Sequence, residues 1–362
     1  MDKTVFEKRT DMAVLLDKKK IILVTHLKDV DGIGSAAMAL GAFNPERIIF
    51  SDYGKEPALE LSQDFLEVPE NRVVMFVDIG LSEDASDVYN DLFGKLKNNG
   101  NKIIWLDHHP VQDKATHVLE NLADFAIAGE QKVCGAELLY EEVIKPLGFS
   151  SAKMETIKEM AHISDFNISG TPFDEKLGKA TEAIASYLDD RTGMQEGLLK
   201  ISKAIENDPI NFDNDRFVSE RAEIYELVQK QLKDELASNT YVVGNENFKA
   251  IIGFNTAGSL QSSDGCYFLL GLEKAKDENA SIAIYVKAKL GTCHMRVNDE
   301  SIDTLPLARA LNGNGHPAAS AFPVPEDFTI SSREDMERFA KFLGKRIKEA
   351  YRTEDKAKSI RA

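Results

Sequence analysis

Residues 102–110 read KIIWLDHHP. Ile103, Ile104 and Leu106 have the unbroken apolar character of a strand buried on both faces, and such a strand has no inexpensive place for Asp107, His108 and His109. The three polar residues therefore belong at its carboxyl end. The same grammar runs through the first half of the chain: KIILVTH (20–26), RIIFSD (47–52) and RVVMFVDIG (72–80) read as strands. Between them GSAAMALGAF (34–43), EPALELSQDFL (56–66) and EDASDVYNDLFGKLKNN (83–99) carry helical spacing. Alternation of this kind predicts an α/β fold with a parallel sheet and crossover helices. CGAELLYEEVIKPLG and SAKMETIKEMAHISDF follow as amphipathic helices.

Residues 193–239 are charge-rich with helical apolar spacing, broken by NDPINFDND, and are expected to be a helical linker. From Thr240 the pattern changes to short strands, YVVG, KAIIGF, CYFLLGL, SIAIYVKAKLG and CHMRVN, with helices at 305–311 and 334–351. The expected organisation is a catalytic domain at 1–192, the linker, and a smaller α/β domain at 240–362.

A chain of 362 residues, 43% hydrophobic, can bury two cores. Its longest apolar runs fall far short of the roughly 20 residues that span a bilayer, and MDKTVFEKRTDM lacks a signal peptide's apolar centre, so a cytoplasmic protein with no membrane association is expected. Cys134, Cys266 and Cys293 are widely spaced and odd in number, which suggests neither disulfides nor a zinc knuckle. The net charge of −16 argues against a broad footprint on duplex nucleic acid, though not against a short anionic substrate held by metal ions.

Four apolar segments run into titratable residues near their carboxyl ends, the edge of an open parallel sheet where sites form. They are VTHLKDVDGIGS (His26, Asp29, Asp31), FVDIG (Asp78), LDHH (Asp107, His108, His109) and AHISDF (Asp165). Any one aspartate after a strand is more often a turn former or helix cap. Five unpaired carboxylates at one sheet edge, however, would repel one another strongly unless cations neutralised them. Mixed carboxylate and imidazole donors suit Mn²⁺ and similar divalent ions better than a thiolate-loving metal. Two such ions about 3.5–4 Å apart clamp a phosphoryl group, which points to phosphoester chemistry.

In their order and spacing, HLKDVDGIGS, VDIG, LDHHP and ISDF resemble the four motifs of the DHH phosphoesterase superfamily, in its nanoRNase and RecJ-like branch. ARALNGNGHPAASA, with HMRVN upstream, resembles the DHHA1 substrate-binding domain. The resemblance implies that His26, Asp29 and Asp78 hold one metal ion and Asp31, Asp78, His108 and Asp165 the other, with Asp78 the bridge. Mn²⁺ is the expected ion, with Mg²⁺ and Co²⁺ as alternatives. It further implies that His109 contacts a substrate phosphate, that Asp107 orients a histidine, and that Arg296, Gly313, Gly315 and His316 bind substrate. Asn314 stands where most relatives carry a third glycine, and Ala321 where they carry a final one; asparagine tolerates positive φ, so a glycine-lined turn at GNGH is still expected. His162, one helical turn before Asp165, is placed either to buttress it or to face solvent. Lys287 and Lys289 read as a solvated strand face.

The activity so implied is hydrolysis of short single-stranded RNA or DNA to mononucleotides by a two-metal phosphodiesterase. Cyclic dinucleotides and 3′-phosphorylated nucleotides such as pAp are alternative substrates, and homodimerisation stays open. Inorganic pyrophosphatases share the first four motifs but not GNGHPAAS. A metal-free replication or repair scaffold would be expected to have lost ligands, and this sequence retains them all.

Overall fold

The computed structural model describes residues 5–351 apart from 18, 28, 68–69, 130–131, 167–176, 182–183, 185–190, 245–248, 257–264 and 298–301; of 314–316 it describes the backbone alone. The chain divides into two compact units, Met1–Tyr225 and Glu226–Ala362.

The strands of the first unit are β1 (Phe6–Lys8), β2 (Ile21–His26), β3 (Arg47–Ser51), β4 (Val73–Val77), β5 (Lys102–Leu106) and β6 (Phe125–Ala128). They form one sheet in the order β1-β6-β5-β4-β2-β3. All neighbours are parallel except β1, which pairs antiparallel with β6. Because successive side chains point to opposite faces, each central strand feeds two cores. Leu23, Met75, Ile104 and Leu106 face one, and Val24, Phe76, Ile103 and Trp105 the other. This double burial is why the sequence shows continuous apolar runs and no polar alternation.

Around the sheet lie α1 (Met12–Leu16), α2 (Val30–Phe43), α3 (Lys55–Asp64), α4 (Ser86–Asn98), α5 (Asp113–Leu122), α6 (Gly135–Leu139), α7 (Ala152–Asp165) and α8 (Arg191–Asn207). The helix expected from Gly34 begins four residues earlier: Asp29 is its N-cap, accepting from the Gly32 N–H at 2.9 Å, so Asp31 lies in its first turn. It ends at Asn44, a left-handed C-cap with φ 46°. β1, α5 and β6 are additions to the sequence reading; FAIA is too short to announce a strand until its neighbours are known. Of the stretch expected as a linker, α8 contributes Leu198, Ile201 and Ile205 to the first core. The unit boundary falls within the next helix, α9 (Arg216–Ser238), whose Val218 belongs to the first core and whose Leu232 and Leu236 belong to the second unit.

The second unit is a six-stranded sheet in the order β11-β12-β10-β9-β8-β7, built from β7 (Thr240–Gly244), β8 (Lys249–Asn255), β9 (Ile282–Lys287), β10 (Thr292–Val297), β11 (Asn314–His316) and β12 (Ala319–Pro323). CYFLLGL, expected as a strand, is instead most of helix α10 (Gly265–Gly271). Two physical reasons account for the correction. β8 and β9 are parallel, so a crossover must join them. Within the apolar run, Gly265, Cys266 and Leu269 are buried while Tyr267 is 59% exposed, which is helical and not strand periodicity. α11 (Glu273–Asp277) follows, and α12 (Leu305–Ala310) and α13 (Arg333–Tyr351) pack on the opposite face.

The first sheet's second core is centred on Trp105, fully buried against Phe76, Tyr89 and Phe93 at ring separations of 5.0, 5.4 and 5.8 Å. Trp105→Ala should cost about 3–5 kcal/mol of stability in a denaturant titration. Leu66→Ala, at a side chain 75% exposed, should stay within about 0.5 kcal/mol.

Candidate metal centre

In the sheet order β3 and β4 lie on opposite sides of β2, so the connection direction reverses between β2 and β4. Crevices beyond the carboxyl ends of such a pair are where open α/β sheets hold ligands. His26 ends β2, Asp78 follows β4 directly, and Asp107, His108 and His109 follow β5. The sheet ladder continues into the site: the Asp78 N–H donates to Leu106 O and the Asp107 N–H to Ile127 O, each at 2.9 Å.

Asp78 is almost wholly buried and takes a left-handed backbone, φ 54°. That conformation is costly for a residue with a Cβ and collects at functional sites. Asp31 is held from outside its own helix, accepting from the Gly135 N–H at 2.6 Å and from the Ala136 N–H, the first turn of α6. Asp165 is the last residue of α7, where the helix dipole disfavours a carboxylate.

These groups converge. Three sets of donor atoms each lie within 4.8 Å of one another: His26, Asp29 and Asp78; Asp78, His108 and His109; Asp31, His108 and Asp165. Asp29 divides its oxygens, one capping α2 and the other 2.5 Å from His26 Nδ1. His26 Nδ1 lies 3.7 Å from Asp78 Oδ2; His108 Nε2 lies 3.6 Å from Asp78 Oδ1 and 3.7 Å from Asp31 Oδ2, and its Nδ1 is 3.6 Å from Asp165 Oδ2. The sequence reading left open which histidine Asp107 orients. It is His109, whose Nδ1 is 2.8 Å from Asp107 Oδ1.

The electrostatics follow from this crowding. Burial, then the charges of Asp31 and Asp29, push Asp78 well above the usual carboxylate range. Burial and the Asp29 charge raise Asp31 to about 7, and burial raises Asp165. Burial works against charge on His26, but its hydrogen bonds to Asp29 and Asp52 outweigh this and bring it to about 9. Burial lowers His108, favouring a neutral ligand-like ring. Burial also opposes charge on His109, yet its hydrogen bond to Asp107 prevails and favours the protonated ring.

The residues fit divalent cations. Asp78 Oδ2 and His108 Nε2 are buried without a hydrogen-bond partner, a cost that a coordinated ion removes. The donors are oxygen and imidazole nitrogen, matching hard to borderline ions.

Sequence reasoning missed Tyr53, which follows β3 with no motif to mark it. Its ring stacks on His26 at 4.2 Å and meets His109 edge-on at 4.9 Å. Its hydroxyl lies 3.1 Å from His26 Nδ1 and 3.5 Å from Asp78 Oδ1. Burial and the surrounding aspartates raise its pKa, so it stays a donor. His162, weighed as a buttress for Asp165, instead meets Glu137 Oε2 at 2.7 Å.

Of the residues assigned to substrate, His109 lies in this cluster, and Arg296, Gly313, Gly315 and His316 belong to the second unit. On its sheet, Arg296 on β10 and His316 on β11 both stand opposite Ala319 of β12, two strands apart at one level. The side chains of Asn314, Gly315 and His316 lie outside the described residues. The positive φ expected at Asn314 belongs to Asn312, φ 60°, and Asn314–His316 is strand instead of turn. At Gly313 a Cβ would sit 2.1 Å from Ala321 O, so that position requires glycine. Lys287, expected on a solvated face, is buried beside Tyr285, its Nζ 5.8 Å from the ring centre.

A reversal point in a parallel sheet, ringed by carboxylates and imidazoles, defines an α/β domain with side-chain clusters that could hold a metal ion. The DHH family, N-terminal domain, matches residues 20–171 of this chain, and the enzymes of that family are metal-dependent phosphoesterases and nucleases. Among solved structures, a pGpG-specific phosphodiesterase, PggH, from Vibrio cholerae is 14% identical, with a TM-score of 0.52 over 92% of this chain and 100% of its own. An uncharacterized protein from Helicobacter pylori G27 is 17% identical, with a TM-score of 0.41 over 90% and 99%. RecJ from Thermus thermophilus, in complex with Mg²⁺, is 14% identical, with a TM-score of 0.44 over 91% of this chain and 51% of its own. No curated protein sequence matches. No helix among the described residues is long and apolar enough to cross a membrane.

Gly135 packs directly on two of the carboxylates: a Cβ there would lie 2.7 Å from Asp78 Cβ and 3.1 Å from Asp31 Oδ2. Gly135→Ala should cost about 1–3 kcal/mol by overpacking and should displace Asp78 from Asp31, so that divalent-ion binding weakens as well. Gly94→Ala, in α4 with nothing within 4 Å, should stabilise by about 1 kcal/mol and leave ion binding unchanged. Thermal unfolding with parallel metal titration reads both.

Proposed function

We propose that the protein is a Mn²⁺-dependent phosphodiesterase that hydrolyses short single-stranded oligonucleotides to mononucleotides. The observation that carries this reading is the presence of Asp78 in two of the three donor clusters, between the His26 and Asp29 pair and His108. His26, Asp29 and Asp78 would hold one ion, and Asp31, Asp78, His108 and Asp165 the other. When bound, such a pair supplies Lewis-acid polarisation of the phosphoryl oxygen and a water of lowered pKa.

The chain's own groups do the rest. Asp107 holds the His109 ring through Nδ1, which leaves Nε2–H to donate to a phosphate oxygen. Tyr53 fixes the His26 and His109 planes and donates toward Asp78. In the second unit, read as a DHHA1 domain, Arg296, Gly313, Gly315 and His316 bind substrate.

Substrate length is argued from charge. A chain at −16 has few cations for successive phosphates, so grip is concentrated at the scissile end. A dinucleotide substrate, as in the name of the Vibrio cholerae enzyme, is in keeping with this.

Two measurements test the proposal. Asp78→Ala removes a ligand from both ion sites and should depress metal stoichiometry and turnover more than Asp165→Ala, which removes one; equal losses would overturn Asp78 as the shared ligand. On a panel of dinucleotides, longer single strands, cyclic dinucleotides and pAp with Mn²⁺, strands of about two to five residues should be cleaved at least as well as long ones, with a salt slope of magnitude below about 2. Efficiency that climbs with length together with a steep salt slope would replace this reading with a processive exonuclease.

A further inference from the structure

Asp31 and Asp165 approach His108 from different helices, at opposite ring nitrogens. Their separation is therefore a matter of how α2 and α7 are held, and one short element touches both. The first two N–H groups of α6 carry Asp31. The next residue, Glu137, uses one carboxylate oxygen twice: it accepts from the Cys134 N–H at 2.8 Å, capping α6, and faces His162 Nδ1 at 2.7 Å. His162 lies on α7 one turn before Asp165, its ring 4.9 Å from Phe166. Both side chains are largely sheltered, Glu137 at 18% and His162 at 34% exposure. A continuous path of contacts thus runs from Asp31 through the α6 terminus, Glu137 and His162 to the helical turn that ends in Asp165.

We propose that Glu137 and His162 are a positioning pair that sets the spacing of Asp31 and Asp165 around His108, and so the affinity of that ion site alone. The proposal rests on the two-ion reading above. Neither residue supplies a donor atom to any of the clusters of potential metal ligands among the described residues. The pair acts through the ligands, as partners behind a metal's own ligands generally do. His26 and Asp29, the donors particular to the other site, make none of these hydrogen bonds, so the pair should leave that site's affinity as it is.

The test is a calorimetric titration of the full-length, metal-stripped protein with MnCl₂, run beside thermal unfolding. Wild type should show two sites. His162→Leu, which removes the hydrogen-bonding nitrogen, should weaken one site by about 10–100-fold and leave the other as in wild type. His162→Gln, which keeps a donor near Glu137, should restore most of the loss. If the leucine variant does not fold, His162→Ala carries the same comparison. Two unchanged sites in the leucine or alanine variant overturn the proposal, because the pair would then be helix packing only. Equal weakening of both sites also overturns it, by showing a general structural role. A wild-type chain that takes up no Mn²⁺ removes the two-ion reading itself, and this inference with it.

Discussion

Asp78 is buried to 1% exposure within reach of four other carboxylates, Asp29, Asp31, Asp107 and Asp165, each of whose charges raises its pKa or that of a neighbour. In a folded protein this repulsion persists only if the surrounding structure fixes the groups and something positive offsets it. Much of the first unit can be read as that fixing. The β5 strand supplies the carbonyl that pins the Asp78 N–H, Gly135 leaves the space beside its Cβ, and the α6 terminus grips Asp31. Asp78 also pays for its place in backbone conformation, and Asp165 sits at the unfavourable end of a helix. Stability is given up at several points around one locus, the usual mark of a site built for a ligand.

The two glycines nearest the cluster show how closely backbone and chemistry are fitted. At Gly32, a Cβ would lie 2.2 Å from His26 O, so the turn from β2 into α2 could not close with any other residue. That closure puts Asp29 at the cap and Asp31 two residues further on, in the first turn, so both carboxylates stand at the same crevice while α2 is buried along most of its length. Helix start, strand end and ligand set are thus one local solution.

Much of this was legible in sequence because the central strands are buried on both faces. A run such as RVVMFV followed by Asp78 can be read directly, since nothing polar interrupts it until the strand ends. The rest depended on partners that a linear reading does not see. CYFLLGL looks like a strand until β8 and β9 are known to be parallel, and FAIA becomes a strand only beside β5. Tyr53 carries no motif; only the stacking of its ring on His26 reveals it. His162 was noticed for its spacing from Asp165, but its partner Glu137 lies 25 residues away in sequence on a different helix. Spacing within a helix is local information, and contacts between helices are not.

The antiparallel strand at the sheet's margin bears on the order in which the chain can be built. Phe6, Glu7 and Lys8 pair only with Ala128, Ile127 and Ala126, more than a hundred residues downstream. During translation at about 5–20 residues per second, this strand must wait on the order of ten seconds after its own synthesis for its partner. Its short length and mixed polarity, FEK, suit that interval, since a longer apolar segment would spend it as an unpaired edge open to other nascent chains. A strand made before its five sheet neighbours is thus among the last to be placed, and it closes the sheet behind it.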